Sequence, residues 1–182
     1  MPSHCISATS WTRTTRIGIV GQVGIAEVDK REQGFLDGVR KIFPQAVLLQ
    51  EVNGYGVRDK ALRAAEDMLQ AHPDLDIAFG INDDTALAIV DAVREIGLKQ
   101  ILVAGIGGSE PIIKELLKPE SPLKVAVANP PKDIADAGWA LLQRVLQGDS
   151  SYRLQYLPFV KIVPEQALEW LKAQYPSKDD AQ

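Results

Sequence analysis

The chain alternates short apolar segments with longer segments in which apolar residues recur every three or four positions. Short apolar runs bounded by Gly, Pro or Asn are typical of buried strands, and the longer spacing is typical of amphipathic helices. The pattern predicts strands at residues 17–23, 46–52, 77–81, 101–104, 124–128 and 157–163. It predicts helices at residues 28–42, 57–71, 85–97, 111–117, 130–146 and 164–171.

Regular alternation of strands and helices predicts the fold class. Each helical crossover returns the chain to the same edge of the sheet, so successive strands run parallel. We therefore expect an α/β fold, doubly wound, with a mostly parallel sheet of about five strands and helices on both faces. The predicted domain covers residues 16–175. Residues 1–15 lack periodicity and predict a disordered leader without the apolar core of a secretory signal, and residues 176–182 form a polar tail.

Composition excludes several classes of protein. The 182 residues are 46% hydrophobic and 24% charged, which is typical of a soluble globular domain. A net charge of -4 without a basic patch argues against nucleic acid as a partner. The single Cys5 excludes an internal disulfide, and His4 with Cys5 is too small a set to predict a metal site. No cofactor is predicted, and no apolar run has the length of a membrane helix.

The most informative segment is Phe79 to Ala88, where a buried strand ends in Asn82, Asp83 and Asp84 and a helix follows. Ligands of parallel α/β sheets lie at the carboxyl ends of strands, so Asn82 is a candidate ligand-binding residue. The same run is also typical of a helix cap, which accepts hydrogen bonds from free backbone N–H groups. Taken alone, the run favours the cap.

Catalytic motifs are missing from the sequence. The turn from Gly105 to Gly108 follows a strand and opens a helix, but it lacks the Lys-Ser/Thr of a P-loop and the full dinucleotide spacing. A tight turn is the first interpretation, and a phosphate site is an alternative. There is no Gly-x-Ser-x-Gly motif and no pair of His ligands, so we do not predict an enzyme.

Several motifs occur together in a fixed order. Residues 30–35 contain Arg-x-x-Gly-Phe, and residues 71–74 read Ala-His-Pro-Asp before the strand that ends in Asn82-Asp83. Residues 103–108, 125–131 and 137–149 follow with a glycine turn, a strand and a helix. In order and spacing, the chain from Arg16 to Leu171 resembles the second lobe of type 1 periplasmic binding proteins. This family comprises the ribose- and galactose-type receptors of sugar ABC transporters.

The resemblance implies the roles of individual residues. Arg31 matches an Arg that hydrogen-bonds sugar hydroxyls, and its fixed donors suit vicinal hydroxyl oxygens. Asn82 and Asn129 match amide residues that contact the ligand, and Tyr55 lies near the position of an aromatic residue that stacks on the sugar ring. Gly107 departs from the family, which has a sugar-binding Asp there. This departure leaves two alternatives open. Glu110 or Ser109 could substitute for the Asp, or the ligand could carry its own negative charge.

The resemblance also implies partners: a small polar ligand, a sugar or polyol, and an ABC permease in the intact receptor. No first lobe and no signal peptide precede the matched region, so we expect a periplasmic location for an intact family member and a cytoplasmic one for the chain as it stands. The helix near Lys132 to Leu146 then lacks its expected partner, and a homodimer through its apolar face is one solution. Two alternatives are the effector domain of a lactose-repressor-type regulator and a flavodoxin-like phosphate-binding domain.

Overall fold

A computed structural model describes residues 14–149, 151 and 156–176. The strands are β1 Arg16–Gly21, β2 Val47–Asn53, β3 Ile77–Gly80, β4 Leu102–Ile106, β5 Leu123–Ala128 and β6 Val160–Ile162. The helices are α1 Ala26–Ile42, α2 Arg58–Ala71, α3 Asp83–Ile96, α4 Glu110–Leu116, α5 Pro131–Leu146 and α6 Pro164–Gln174. The α/β prediction is confirmed. The predictions for His4 and Cys5 lie outside the described residues.

The sheet has six strands in the order β2-β1-β3-β4-β5-β6. All neighbouring strands are parallel except β5 and β6, which are antiparallel. Five strands therefore run in one direction, as predicted, and a sixth strand, β6, is added antiparallel at the edge. The preceding helix, α5, buries none of its residues.

Helices cover both faces of the sheet, as predicted. On one face α1 contributes Val28 and Leu36 to a core with Ile17 and Ile19 of β1. The ring of Phe35 stacks on Phe79 of β3 at a centroid distance of 4.2 Å. The other face carries a larger core. It is built mainly by α2, α3, α4 and α6, and its fully buried side chains include Met68, Leu69, Ile89, Ile112 and Ile113.

Two glycines let the start of α3 lie directly against the sheet. A Cβ atom on Gly80 would lie 2.5 Å from the Cα atom of Ala86, and one on Gly105 would lie 2.6 Å from its Cβ atom. Such separations are too short for carbon atoms in contact, so larger residues at either position would push the helix away. The close approach fixes the first residues of α3 at the carboxyl edge of β3 and β4.

The helix α5 differs from the others. None of its residues, all of which the structure describes, is buried. Ile134, Leu142 and Val145 are 48%, 46% and 45% exposed, and Trp139 is 60% exposed. In the described part of the chain, no helix is long and apolar enough to cross a membrane.

Candidate ligand-binding cleft

A cleft of about 340 Å³ lies at the carboxyl edge of the sheet. It is formed by residues that follow β3, β4 and β5, together with the first half of α1 and the segments around β6 and α6. The sheet order places a topological switch between β1 and β3, where helices leave to opposite faces and where α/β sheets bind ligands. The residues lining the cleft are Arg31, Asn82, Asp83, Ile106, Gly107, Gly108, Ser109, Asn129, Pro131, Phe159 and Tyr175.

Asn82 is the N-cap of α3, as the sequence pattern indicates. Its Oδ1 atom accepts a hydrogen bond from the Thr85 N–H at 2.9 Å, and its own N–H donates to Thr85 Oγ1 at 3.0 Å. This capping box satisfies the free N–H groups of the first helical turn. The Nδ2 atom donates to the Gly56 carbonyl oxygen at 3.0 Å, which leaves one amide hydrogen for a ligand. Asn82 therefore has a structural role in addition to its place in the cleft.

Arg31 reaches the cleft from the other face of the sheet. Its Nη1 atom donates to the carbonyl oxygen of Ile81 at 2.9 Å, directly before the Asn82 cap. This bond holds the guanidinium at the switch point between β1 and β3. An Arg has five N–H donors, so most of them remain available to oxygen atoms of a ligand.

The turn after β4 is held by a carboxylate. The Gly108 and Ser109 N–H groups donate to Oδ2 of Asp83 at 3.3 and 3.1 Å, and the Gly107 N–H donates to the Val127 carbonyl oxygen at 2.8 Å. A phosphate in this glycine turn would need those same N–H groups. An internal anion already occupies them, which argues against the alternative of a phosphate site.

Two acceptor atoms in the cleft have no hydrogen-bond partner among the residues that the structure describes. Among the described residues, no donor reaches the Oδ1 atoms of Asp83 or Asn129, although both atoms are buried. A buried acceptor without a hydrogen bond costs about 1–3 kcal/mol. The cleft therefore combines unpaired acceptors with the free donors of Arg31, an arrangement that complements a ligand rich in hydroxyl groups.

The aromatic side chains that line the cleft differ from Tyr55, which the resemblance implied. Tyr55 lies outside the cleft and is 54% exposed; its ring is covered by the Lys60 ammonium group, with Nζ 4.3 Å from the ring centre. Phe159 and Tyr175 line the cleft instead. A role for Tyr55 on a ligand stays a prediction.

Sequence reasoning missed both of these residues, because it assigned Phe159 to a strand and ended the last helix at Leu171. Tyr175 donates its hydroxyl to the Gly108 carbonyl oxygen at 2.9 Å. Burial, with the nearby carboxylates of Asp83 and Glu110, raises the pKa of the Tyr175 phenol. The signal that was available is the helical pattern, which continues to Gln174.

The chemistry of the cleft is that of binding. Within the described part of the chain, no three His, Cys, Asp or Glu residues are grouped so that they could hold a metal ion. The lining offers one guanidinium, one carboxylate, two amides and aromatic rings. The fold is therefore an α/β unit with an open polar cleft at its switch point, the position at which doubly wound α/β proteins bind small ligands.

The family follows from comparison with known proteins. Residues 9–150 match the model of the periplasmic binding protein domain. The chain belongs to this family. The family consists of solute-binding proteins rather than enzymes, and its members are periplasmic.

Two curated relatives illustrate the sequence similarity. The ribose import binding protein RbsB of Salmonella typhimurium is 27% identical over 150 residues, which are 82% of this chain and 49% of the relative. The RbsB protein of Bacillus subtilis is 32% identical over 91 residues, which are 50% of this chain and 29% of the relative. The chain thus spans about half the length of the curated relatives it matches, or less.

Solved structures agree on the fold. A periplasmic solute-binding protein of an ABC transporter from Actinobacillus succinogenes, with bound D-allose, superimposes with a TM-score of 0.79 at 20% identity and covers 89% of this chain and 57% of that one. A galactofuranose binding protein superimposes with a TM-score of 0.78 at 22% identity and covers 89% of this chain and 56% of that one. At these identities the similarity establishes the architecture.

Proposed function

We propose that this chain is the second lobe of a sugar-type solute receptor of an ABC transporter. The observation that carries the proposal is the convergence of Arg31, Asn82 and Asn129 on one cleft. These residues are distant in sequence, and the parallel sheet brings them to a single edge. Together with unpaired acceptors, they form a site whose hydrogen-bonding groups match a sugar or polyol.

The length of the match supports the two-lobe mechanism. The match covers 82% of this chain but only 49% of the Salmonella typhimurium relative, so a first lobe would supply the other wall of the cleft. Closure of two lobes around a ligand is a hinge motion, and the closed form would be what the permease recognises. The intact receptor would act in the periplasm. In that receptor the first lobe would also cover the apolar side chains of α5.

A nuclear magnetic resonance titration of the chain with D-ribose and D-allose tests the proposal. With half of the contacts missing, a receptor with a Kd on the order of 1 µM would retain about half its binding free energy, which corresponds to a Kd on the order of 1 mM. We expect the amide signals of residues 82–83, 106–109 and 129 to shift with such an affinity.

Arg31→Ala is the decisive variant, because it leaves the α3 cap intact, whereas Asn82→Ala also removes the cap. We expect Arg31→Ala to weaken sugar binding about tenfold or more, since hydrogen bonds from charged groups are the stronger ones. Arg40→Ala, which changes an exposed residue on the same helix, is the matched control and should have no effect. Shifts that lie outside the cleft, or equal effects of the two variants, would refute the proposed site.

A further inference from the structure

The cleft departs from the sugar-binding pattern at position 107. The resemblance implies an Asp there, whose carboxylate accepts hydrogen bonds from sugar hydroxyls, but this chain has Gly107. Without that Asp, a carboxylate that accepts hydrogen bonds from ligand hydroxyl groups in this cleft must come from another position.

The carboxylate of Asp83 occupies the space that a side chain at position 107 would need. A Cβ atom on Gly107 would overlap Oδ1 of Asp83 and lie 2.6 Å from its Oδ2 atom. Gly107 also has a φ angle of 153°, which disfavours larger residues. Asp83 can therefore occupy this position only because residue 107 has no side chain.

Asp83 is held firmly and still has capacity to bind. Two backbone N–H groups, those of Gly108 and Ser109, fix its Oδ2 atom. Its Oδ1 atom has no donor among the described residues and lies beneath Gly107. A small displacement of the Gly107 backbone, which carries no Cβ atom, would bring Oδ1 into reach of a ligand hydroxyl.

The other candidate acceptors fit less well. Glu110 does not line the cleft, and it pairs with Lys114 on the exposed side of α4 at 2.6 Å. Ser109 lines the cleft but is neutral. Among the described residues that line the cleft, Asp83 is the only carboxylate.

We propose that Asp83 is the specificity-determining acceptor of this cleft and selects neutral polyhydroxylated ligands over phosphorylated ones. This inference rests on the proposed function and adds the residue that discriminates between ligands. A carboxylate accepts hydroxyl protons strongly, because hydrogen bonds to ionised groups are about twice as strong as neutral ones. The same negative charge repels a phosphate, and the N–H groups that could bind one are occupied by Oδ2.

The test is a resonance titration of wild type, Asp83→Asn and Asp84→Asn with D-ribose, D-allose and ribose 5-phosphate. Asp84 is exposed, adjacent on the same helical turn and outside the cleft, so Asp84→Asn removes the same charge near the helix start. We expect Asp83→Asn to weaken binding of the neutral sugars about tenfold. Asp84→Asn should leave it unchanged, and wild type should bind ribose more tightly than ribose 5-phosphate.

The outcomes separate this inference from the function on which it rests. Equal affinity of wild type and Asp83→Asn for the neutral sugars would overturn the role of Asp83 but leave the proposed function in place. Tighter binding of ribose 5-phosphate than of ribose by wild type would overturn the selection for neutral ligands. Wild type that binds none of the probes at concentrations up to about 0.1 M, well above a millimolar Kd, would overturn the proposed function and this inference with it. Thermal denaturation of both variants checks that each is folded.

Discussion

Two helices of similar length, α3 and α5, differ in how far their side chains are buried. The 14-residue α3 buries eight side chains, including Ile89 and Val90, between the sheet and its neighbouring helices. The 16-residue α5 carries an apolar stripe as well, yet it buries none. The comparison shows that a helical pattern predicts a helix but does not identify the surface that covers it.

The difference lies in what surrounds each helix. Glycines in β3 and β4 let α3 approach the sheet, and Asn82 caps its start. The helix α5 begins at Pro131 after the N-cap Pro130, and none of its residues is buried. Full burial of an apolar side chain contributes about 1.5–3 kcal/mol, so covering the exposed apolar side chains of α5 would be favourable.

A matched pair of substitutions tests most strongly whether α3 is packed in the core and α5 is not. Ile89→Ala in α3 should lower the free energy of unfolding by about 2–5 kcal/mol, because it leaves a cavity in a packed core. Ile134→Ala in α5 should change it by less than about 0.5 kcal/mol, because the side chain is half exposed. Urea unfolding measures both. Equal losses would show that α5 is packed in solution.

A polar contact also ties α3 to the fold. Glu115 of α4 is buried and accepts hydrogen bonds from Arg94 of α3, from Lys118 at 2.7 Å and from Ser121 at 2.6 Å. Burial raises the pKa of Glu115, but these bonds outweigh burial and leave the pKa lowered. Its stabilisation is therefore present above the ordinary carboxyl pKa and is lost as the pH falls through the lower pKa of the folded state.

Glu115→Gln should therefore cost about 2–3 kcal/mol near neutral pH, since it leaves part of this network unpaired. The loss should shrink when unfolding is measured in acid. Glu110→Gln on the same helix is the control, because Glu110 forms an exposed pair with Lys114 that is worth less than about 1 kcal/mol. A difference between Glu115→Gln and wild type that does not change with pH would contradict the assigned charge network.

Helix α1 provides the opposite pH dependence. Burial, and then the nearby charges of Glu51 and Asp29, raise the pKa of Glu32 to about 7 from 4.5, although the Gln22 N–H partly opposes them. The folded state then binds this proton more tightly than the unfolded chain. The contribution of Glu32 to stability is therefore fully present below about pH 4.5 and is lost as the pH rises towards 7.

Glu32→Gln should stabilise the protein by about 1–2 kcal/mol at pH 8 and have a smaller effect at pH 5. Glu27→Gln, at an exposed position of the same helix, is the control and should be neutral at both. Unfolding curves at the two pH values give the answer. A destabilised Glu32→Gln variant at pH 8 would show that the carboxylate has a partner in solution.

The smallest expected effect concerns self-association. We predict that the chain forms weak, concentration-dependent dimers through the apolar side of α5, which contains Leu142 and Val145. Leu142→Glu should abolish them, whereas Gln143→Glu, with the same added charge on a neighbouring exposed position, should not. Sedimentation velocity over a concentration series distinguishes the two. A strictly monomeric protein whose α5 resists hydrogen exchange would count against the prediction.

Much of the fold was predictable from sequence, and less of the site. The strands and helices follow from periodicity, and Asn82 combines a strand end with a cap, which sequence can show. The direction of β6 and the position of Tyr55 depend on how the chain returns to the sheet, which periodicity does not encode. The role inferred for Asp83 depends on its closeness to Gly107, which lies 24 positions later in the chain. Such a pairing becomes visible only when β3 and β4 are side by side.

We propose that this chain is one half of a two-lobe sugar receptor, and one measurement tests that proposal most directly. The first lobe of the Salmonella typhimurium ribose import binding protein is fused before Arg16, and calorimetry with D-ribose and D-allose compares the fusion with the chain alone. We predict that the fusion binds a sugar about a thousandfold more tightly, which moves the Kd from the millimolar to the micromolar range. Arg31→Ala in the fusion should weaken this binding about tenfold or more, as in the chain alone. A fusion that binds no better than the chain, or a chain that alone binds tightly with or without Arg31, would contradict the claim.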